Sequence, residues 1–315
     1  MNVESLISST SGRSGRDLVA ELRMRVSPEA VVRGDEPLAR RTTLRVGGPA
    51  DIYIEPASEA DLQSALKFCV EQSLRFFVLG RGSNLLVRDG GFRGVVFSLT
   101  QRCFSFIEET PPQLRCGAGA RLKDLAVAAK RSGVSGLEFL EGIPGSIGGG
   151  LRMNAGAMGG AMFDVVQTVR VMDFKGAIIE HRASELEVKY RGCATLKSQI
   201  ALSAVLQGQI GAREDIERKM KEFSQKRWSS QPAAPSAGCM FKNPVTIPAG
   251  KLIDELGLKG TRVGGAMVSF EHGNFLVTDG SATARDVLEL IKLIQEKART
   301  VREVDLETEV EIIGE

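Results

Sequence analysis

Three short stretches crowd the glycines of this 315-residue chain: LGRGSNLLV (79–87), GIPGSIGG (142–149) and MNAGAMGG (153–160). Glycine supplies 35 of the 315 residues, above the typical share of about 7%. Such runs are poor interiors for helices or strands, because glycine loses the most backbone entropy on ordering. They suit places where the main chain takes positive φ or where another group approaches it closely. A row of exposed N–H groups also makes a concavity for anions. Two such loops converging would suit a pyrophosphate, which needs many donors and little side-chain bulk. Plain structural turns are the alternative, and spacing alone does not choose between them. The common nucleotide signatures fail: Gly80-x-Gly82-x-x-Leu85 lacks the third glycine of the Rossmann fingerprint, and no G-x-x-x-x-G-K-[ST] occurs.

Charge and composition remove other classes. Lys and Arg number 41 and Asp and Glu 39, a net +2, without the basic domain expected of a nucleic-acid binder. Apolar runs such as 125–129 are far too short to span a bilayer. The opening residues, MNVESLISSTSGRSGR, are polar and carry no apolar core of a secretory leader, so none is expected. The five cysteines (Cys69, Cys103, Cys116, Cys193, Cys239) form an odd set without C-x-x-C and read as reduced thiols in a cytoplasm. With His181 and His272 the only histidines, no metal site is expected.

Periodicity gives an α+β class. Residues 1–41 read as an irregular, partly helical lead-in. ADIYIEPA (50–57) alternates like a strand, and Ser58 with Asp61 forms a capping box for a helix whose apolar positions are Leu62, Ala65, Leu66, Cys69 and Val70. Residues 76–80 and 94–99 read as buried strands, closing a first unit near 100. A second unit, about 101–211, holds strands at 114–119, 168–174, 177–182 and 200–206, a hairpin turn at Lys175-Gly176, and a helix over 122–133 closed by Gly133. From 212 onward come an amphipathic helix with Ile216, Met220 and Phe223 on one face, a short helix at AGKLIDELGL, and a strand at FLVTD. Thr283 and Asp286 then cap a helix with the stripe Val287, Leu290, Ile291 and Ile294. EVEII (309–313) is a closing strand.

The ordered set TTLRVGGPADIYIEP, LGRGSNLLVRDGGFRGVV, GLEFLEGIPGSIGGGLRMNAGAMGG, KYR, SAGCMFKNP, AGKLIDELGLKG, RVGGAMVS and ETEVEIIG resembles the UDP-N-acetylenolpyruvoylglucosamine reductase (MurB) family, over roughly 42–315. The shorter, type II members are the nearer match. The resemblance implies an FAD-binding fold of the vanillyl-alcohol-oxidase (PCMH) type over 42–211, in subdomains of about 42–100 and 101–211, and an α+β substrate-binding domain over 212–315. It implies non-covalent FAD and NADPH as reductant. It implies a UDP-sugar enolpyruvyl ether as substrate and a cytoplasmic monomer or weak oligomer. It implies a place in peptidoglycan precursor synthesis, and with it in cell shape and division. The FAD contacts carried over are Gly80, Arg81, Gly82, Ser83, Asn84 and Leu85, with Gly142, Ile143, Pro144, Gly145, Ser146, Gly148 and Gly149. Asn154, Ala155, Gly156 and Ala157 continue them. Arg45 is a further candidate, with a solvated strand-edge charge as its alternative.

The reaction so implied puts hydride and a proton across an enol ether bearing a carboxylate, which yields UDP-N-acetylmuramate. Arg191, in Tyr190-Arg191, matches the residue that would stabilise the enolate, a task suited to a bidentate, permanently charged guanidinium. Glu309 would assist at the same carboxylate, and a protonated or strongly hydrogen-bonded carboxyl serves an anion better than a bare carboxylate. Cys239 stands where many members have serine as proton donor. A thiol, with a reference pKa near 8.5, is the stronger acid, and a neutral thiol is expected at rest. Around Glu309 the pattern departs from the family: Thr308 and Glu311 replace the usual Pro and Arg. Tyr190, Lys242, Asn243, His272 and Asn274 are the substrate-binding candidates. A related flavin oxidase with covalently attached flavin is disfavoured, since neither histidine lies near 80–86 or 142–149. A glycine-rich nucleotide-holding module would leave Arg191, Cys239 and Glu309 unexplained.

Overall fold

The structure, a computed structural model, describes residues 15–315. The first fourteen residues of the expected lead-in lie outside the described residues. The rest of that lead-in is regular: a helix, Gly15–Arg25, and a strand, Val31–Pro37.

The chain divides into two compact units. The first comprises Met1–Asp35, Asp51–Gly80 and Gly94–Gln225. The second comprises Glu36–Ala50, Arg81–Arg93 and Lys226–Glu315. Two early segments, 36–50 and 81–93, therefore belong with the C-terminal part of the chain, whereas the expected division runs straight along it at 211/212.

The first unit carries the bulk of a four-stranded sheet, in the order Val31–Pro37, Pro49–Glu55, Phe92–Ser98, Phe76–Leu79. A second sheet has five strands in the order Ile178–Arg182, Val166–Asp173, Gln199–Gln207, Gln113–Gly117, Ile107–Thr110, all antiparallel. The expected turn at Lys175-Gly176 joins two of these, with Gly176 at φ +90°. Helix Glu59–Glu71 starts at the expected capping box. Asp61 does more there than cap. It is buried and accepts from Ser27 N (2.7 Å), Ser27 Oγ (2.8 Å), Ala57 N and Ser58 N (both 3.1 Å). Burial opposes its ionisation, but the Ser27, Ala57 and Ser58 bonds outweigh it and hold the carboxyl below its ordinary pKa. Leu62, Ala65, Leu66 and Cys69 are buried as the spacing predicts; Val70 is exposed. Burial pushes the thiols of Cys69 and Cys116 up to about 12.

One element corrects the sequence reading. The second glycine cluster is not all loop: Ile147–Arg152 is a helix. Glycine propensity argues against it, but Ser146 caps it by accepting from Gly149 N, and Ile147 and Leu151, one turn apart, are fully buried. Tertiary burial overrides local preference.

The second unit is built on a four-stranded antiparallel sheet, in the order Ser236–Cys239, Phe275–Thr278, Ala266–Val268, Arg262–Val263. Helices Ala249–Glu255 and Ala284–Arg302 contribute to its core. The predicted stripe Val287, Leu290, Ile291 and Ile294 is buried, and the Thr283–Asp286 capping box is present. Asp89 adds a second cap, with its Oδ1 accepting from Ala284 N (2.8 Å) and its Oδ2 from Arg285 N (2.9 Å). The closing strand is shorter than expected, Glu311–Ile313, and pairs in parallel with Leu85–Val87. Beyond it, Gly90 N donates to Glu315 O (2.8 Å) and Glu315 N to Gly91 O (3.1 Å). The last residues are thus stitched to the segment that follows the first glycine cluster. Among the described residues no helix is long and apolar enough to cross a membrane.

Candidate functional site

The first unit gathers one set of candidates. Gly80 faces Ser146: a Cβ at Gly80 would lie 2.7 Å from Ser146 Oγ. The end of the first glycine cluster therefore abuts the second. Residues 145–148 run beside 118–122, with Leu122 N to Gly145 O (3.1 Å), Ile147 N to Ala120 O (2.9 Å) and Gly148 N to Ala118 O (2.7 Å). The Gly148 amide is thereby engaged by the fold itself. Gly142 faces open space, and Gly149 would meet only Ser146 Oγ, at 3.5 Å.

The 154–157 segment leads to Arg191. Asn154, at φ +40°, accepts from Phe163 N with Oδ1 (3.2 Å) and donates from Nδ2 to Lys189 O (3.3 Å). Arg191 sits at φ +57° in the turn between the strands Val188–Lys189 and Gly192–Cys193. A non-glycine residue in this region costs roughly 1–3 kcal/mol and persists only where its surroundings impose it. The Arg191 guanidinium lies 5.1 Å over the Tyr190 ring, and its Nη1 is 3.5 Å from Gly156 O. Tyr190 is 61% exposed. Asn154, Gly156, Tyr190 and Arg191 are thus brought together, with Ala155 and Ala157 in the same hairpin-bearing segment.

The second unit gathers the rest. Gly82 is at φ +61°, and a Cβ there would sit 2.4 Å from Arg41 O and 2.7 Å from Thr42 Cα. Thr43 closes over it, donating from both N (3.1 Å) and Oγ1 (3.2 Å) to Gly82 O. Thr42 Oγ1 is buried and finds no hydrogen-bond partner among the described residues. Sequence reasoning passed over Thr42; its only signal was the TTLRVGG motif. Arg45 is exposed, at φ +60°. Arg81 is exposed, Ser83 half-buried, and Leu85 buried in the strand paired with Glu311–Ile313.

Cys239 ends the strand Ser236–Cys239, half-buried and paired with Phe275. Glu309 lies just ahead of the last strand. Its N–H donates to Met240 O (2.8 Å), and Thr308 pairs antiparallel with Phe241. Cys239 and Glu309 therefore sit on neighbouring extended segments, joined also by Lys242 N donating to Glu307 O (2.9 Å). Asn274, expected to face substrate, does not: it is 2% exposed and spends its carboxamide on Phe241, with Oδ1 accepting from N (2.9 Å) and Nδ2 donating to O (2.8 Å). It shapes the site by fixing the Cys239 strand. Asn243 caps helix Ala249–Glu255, its Oδ1 accepting from Ala249 N (3.0 Å). Lys242 pairs with Glu307. His272 accepts from Asn274 N through Nδ1 (3.1 Å), which leaves Nε2 to carry the proton of the neutral ring. Burial, then the Lys259 charge, lower its pKa.

In the first unit, Gly80, Gly142 and Gly149 leave main chain bare of side chains. These residues fit a cofactor whose anionic bridge is held by amides rather than by cationic side chains.

Comparison with known proteins agrees. Residues 50–182 match the family described as FAD binding domain, and residues 231–313 match UDP-N-acetylenolpyruvoylglucosamine reductase, C-terminal domain. The chain is 42% identical over 286 residues to the UDP-N-acetylenolpyruvoylglucosamine reductase of Clostridioides difficile, covering 90% of this chain and 94% of that one. It is 43% identical over 299 residues to the protein of that name from Geotalea uraniireducens, covering 94% and 97%. The crystal structure of the Thermus caldophilus enzyme superposes with a TM-score of 0.80 at 40% identity, over 90% of this chain and all of that one.

Proposed function

Because this chain belongs to the UDP-N-acetylenolpyruvoylglucosamine reductase family, we propose that it reduces the enolpyruvyl ether of UDP-N-acetylglucosamine to UDP-N-acetylmuramate, with NADPH as electron source and Arg191, Cys239 and Glu309 as catalytic residues. The fold is the FAD-binding PCMH type joined to a reductase C-terminal domain. Bound FAD would supply the two-electron hydride chemistry that links NADPH oxidation to reduction of the enolpyruvyl ether.

The protein's own residues do the rest. The main chain around Gly80–Leu85 and Gly142–Gly149, with the 154–157 segment, would hold the cofactor. The Arg191 guanidinium forks the substrate carboxylate and stabilises the charge that grows there as hydride arrives. The Glu309 carboxyl bonds the same group. The Cys239 thiol gives its proton to the carbon beside the ether oxygen, which converts the C=C bond to a lactyl ether; solvent then reprotonates the sulfur. Tyr190, Lys242, Asn243 and the Nε2–H of His272 orient the nucleotide sugar. A phosphate there would take Lys242 over from Glu307. NADPH and substrate use the same place in turn, so the kinetics alternate. The nucleotide substrates and the reduced thiols suit a cytoplasmic setting, with the enzyme a monomer or weak oligomer.

The observation that carries this reading is the bond from Glu309 N–H to Met240 O. It sets a carboxyl-bearing residue beside the strand of a candidate acid in a chain of this family. The test is anaerobic. Purified holoprotein should be yellow, bleach with NADPH, and regain its colour with UDP-N-acetylglucosamine enolpyruvate as UDP-N-acetylmuramate forms. A protein that takes up no FAD, or whose reduced form ignores this substrate, overturns the reading.

A further inference from the structure

We propose that Asn84, carried over above as a cofactor contact, is through its side chain a positioning residue for Glu309. The inference rests on the reading of Glu309 as catalytic. Asn84 lies in the first glycine cluster, 225 residues from Glu309 in sequence, and its Nδ2 donates to the Glu309 carbonyl at 3.0 Å. Its own carbonyl accepts from Glu311 N at 3.1 Å. Asn84 thus brackets the residues on either side of Val310, itself buried. From the other flank, Glu309 N–H is held by Met240 O, and the Met240-Phe241 backbone is in turn clamped by Asn274, from its main-chain carbonyl to Met240 N (2.8 Å) and from its carboxamide to Phe241.

Glu309 is therefore fixed at both ends of its own peptide units, at N–H by the cysteine-bearing strand and at C=O by the glycine loop. These two bonds differ in kind. The Met240 bond is main chain to main chain and survives any side-chain change. The Asn84 bond is a side-chain donor and can be removed. Asparagine suits the role because its amide donates to a carbonyl while the main chain of the same residue stays free to pair with Glu311. The main chain of the loop keeps its task at the cofactor, and the carboxamide sets how far Glu309 stands from it. A displacement of about 1 Å in such a group costs on the order of 10²-fold in rate.

The experiment compares wild type, Asn84→Ala and Asn84→Asp, the last nearly isosteric but with an acceptor opposite the Glu309 carbonyl. In the apoproteins, amide exchange across 307–313 should speed up at least ~10-fold in both variants, a local opening of the kind a lost tether allows, with 249–255 and 284–302 unchanged. In the holoproteins, reoxidation by substrate should slow ~10- to 100-fold, clearly more than flavin reduction by NADPH does. Asn84→Asp should do no better than Asn84→Ala. Unchanged exchange at 307–313, or both half-reactions falling in parallel, overturns the proposal. If either variant fails to retain FAD, the exchange measurement on the apoprotein still decides. Failure of the underlying reading would look different, since wild type itself would then not be reoxidised by the substrate.

Discussion

The two units hold their candidate residues by opposite means. In the first, Arg191 sits on a turn at φ +57°, reached by bonds of 3.3 Å from Asn154 and 3.5 Å to Gly156, beside an exposed tyrosine. In the second, Cys239 and Glu309 lie on extended segments, with Glu309 itself tied at 2.8 and 3.0 Å and backed by the buried Asn274. One half carries strain and slack; the other is fixed by register. The difference matches the tasks proposed for them. A guanidinium that must follow a carboxylate as charge develops tolerates adjustment, whereas an acid must stand within hydrogen-bond reach of one carbon.

The largest effect expected of any change is at the register-held acid. Cys239→Ala should leave flavin reduction by NADPH nearly intact and slow reoxidation by substrate ~10²- to 10⁴-fold, the range of one positioned acid; Cys239→Ser should recover much of it. Stopped-flow absorbance of the two half-reactions separates these, and wild-type reoxidation in the alanine variant would break the assignment. Next comes the tie itself. Asn274→Ala removes two buried hydrogen bonds and leaves the Phe241 amide and carbonyl without them, at about 1–3 kcal/mol for each group stranded. Urea unfolding should show a loss of about 2–6 kcal/mol, by that same reckoning.

Acid should separate the units further. Asp61 ties the start of helix Glu59–Glu71 to Ser27, in the turn after the first helix, and is held below its ordinary pKa near 3.8. A depressed carboxyl contributes stability that is complete above the unfolded value and fades as pH falls through the lower folded one. Asn274, its counterpart in the second unit, does not titrate. Segment-resolved amide exchange from pH 6 to pH 3 should therefore show 59–71 losing protection before 236–241, and Asp61→Asn should flatten that difference. The smallest shift concerns strain. Arg191→Gly relieves the left-handed turn at the cost of one cation–π contact, so thermal unfolding should hold or rise by up to about 1 kcal/mol. Reoxidation should collapse all the same. A marked fall in stability would show that the turn is not strained.

What could be read in advance follows the range of the interactions. Both capping boxes were legible because Ser58–Asp61 and Thr283–Asp286 act within one turn. So was the stripe Val287, Leu290, Ile291 and Ile294, since 3.6-residue periodicity is written locally. The helix Ile147–Arg152 was not legible, because three consecutive glycines hide two buried anchors whose partners lie elsewhere. Nor was the parallel pairing of Glu311–Ile313 with Leu85–Val87, or the duty of Asn274, whose carboxamide looks like a surface group until its burial is known. Arg191, Cys239 and Glu309 were legible only through the ordered motifs. A single cysteine on its own reads as a small apolar filler, and no local rule puts an arginine in a left-handed turn.

The pairing of the final strand with residues 85–87 also bears on how the molecule is made. Synthesis runs from the N-terminus, and folding can begin while the chain is still emerging. The first unit can thus assemble early, but the bed for Glu309 needs residues 311–315 laid against 85–91. Those residues leave the ribosome long after 85–91 have emerged. The bed for Glu309 can close only once both segments have emerged, with Glu315 received by the turn at Gly90 and Gly91.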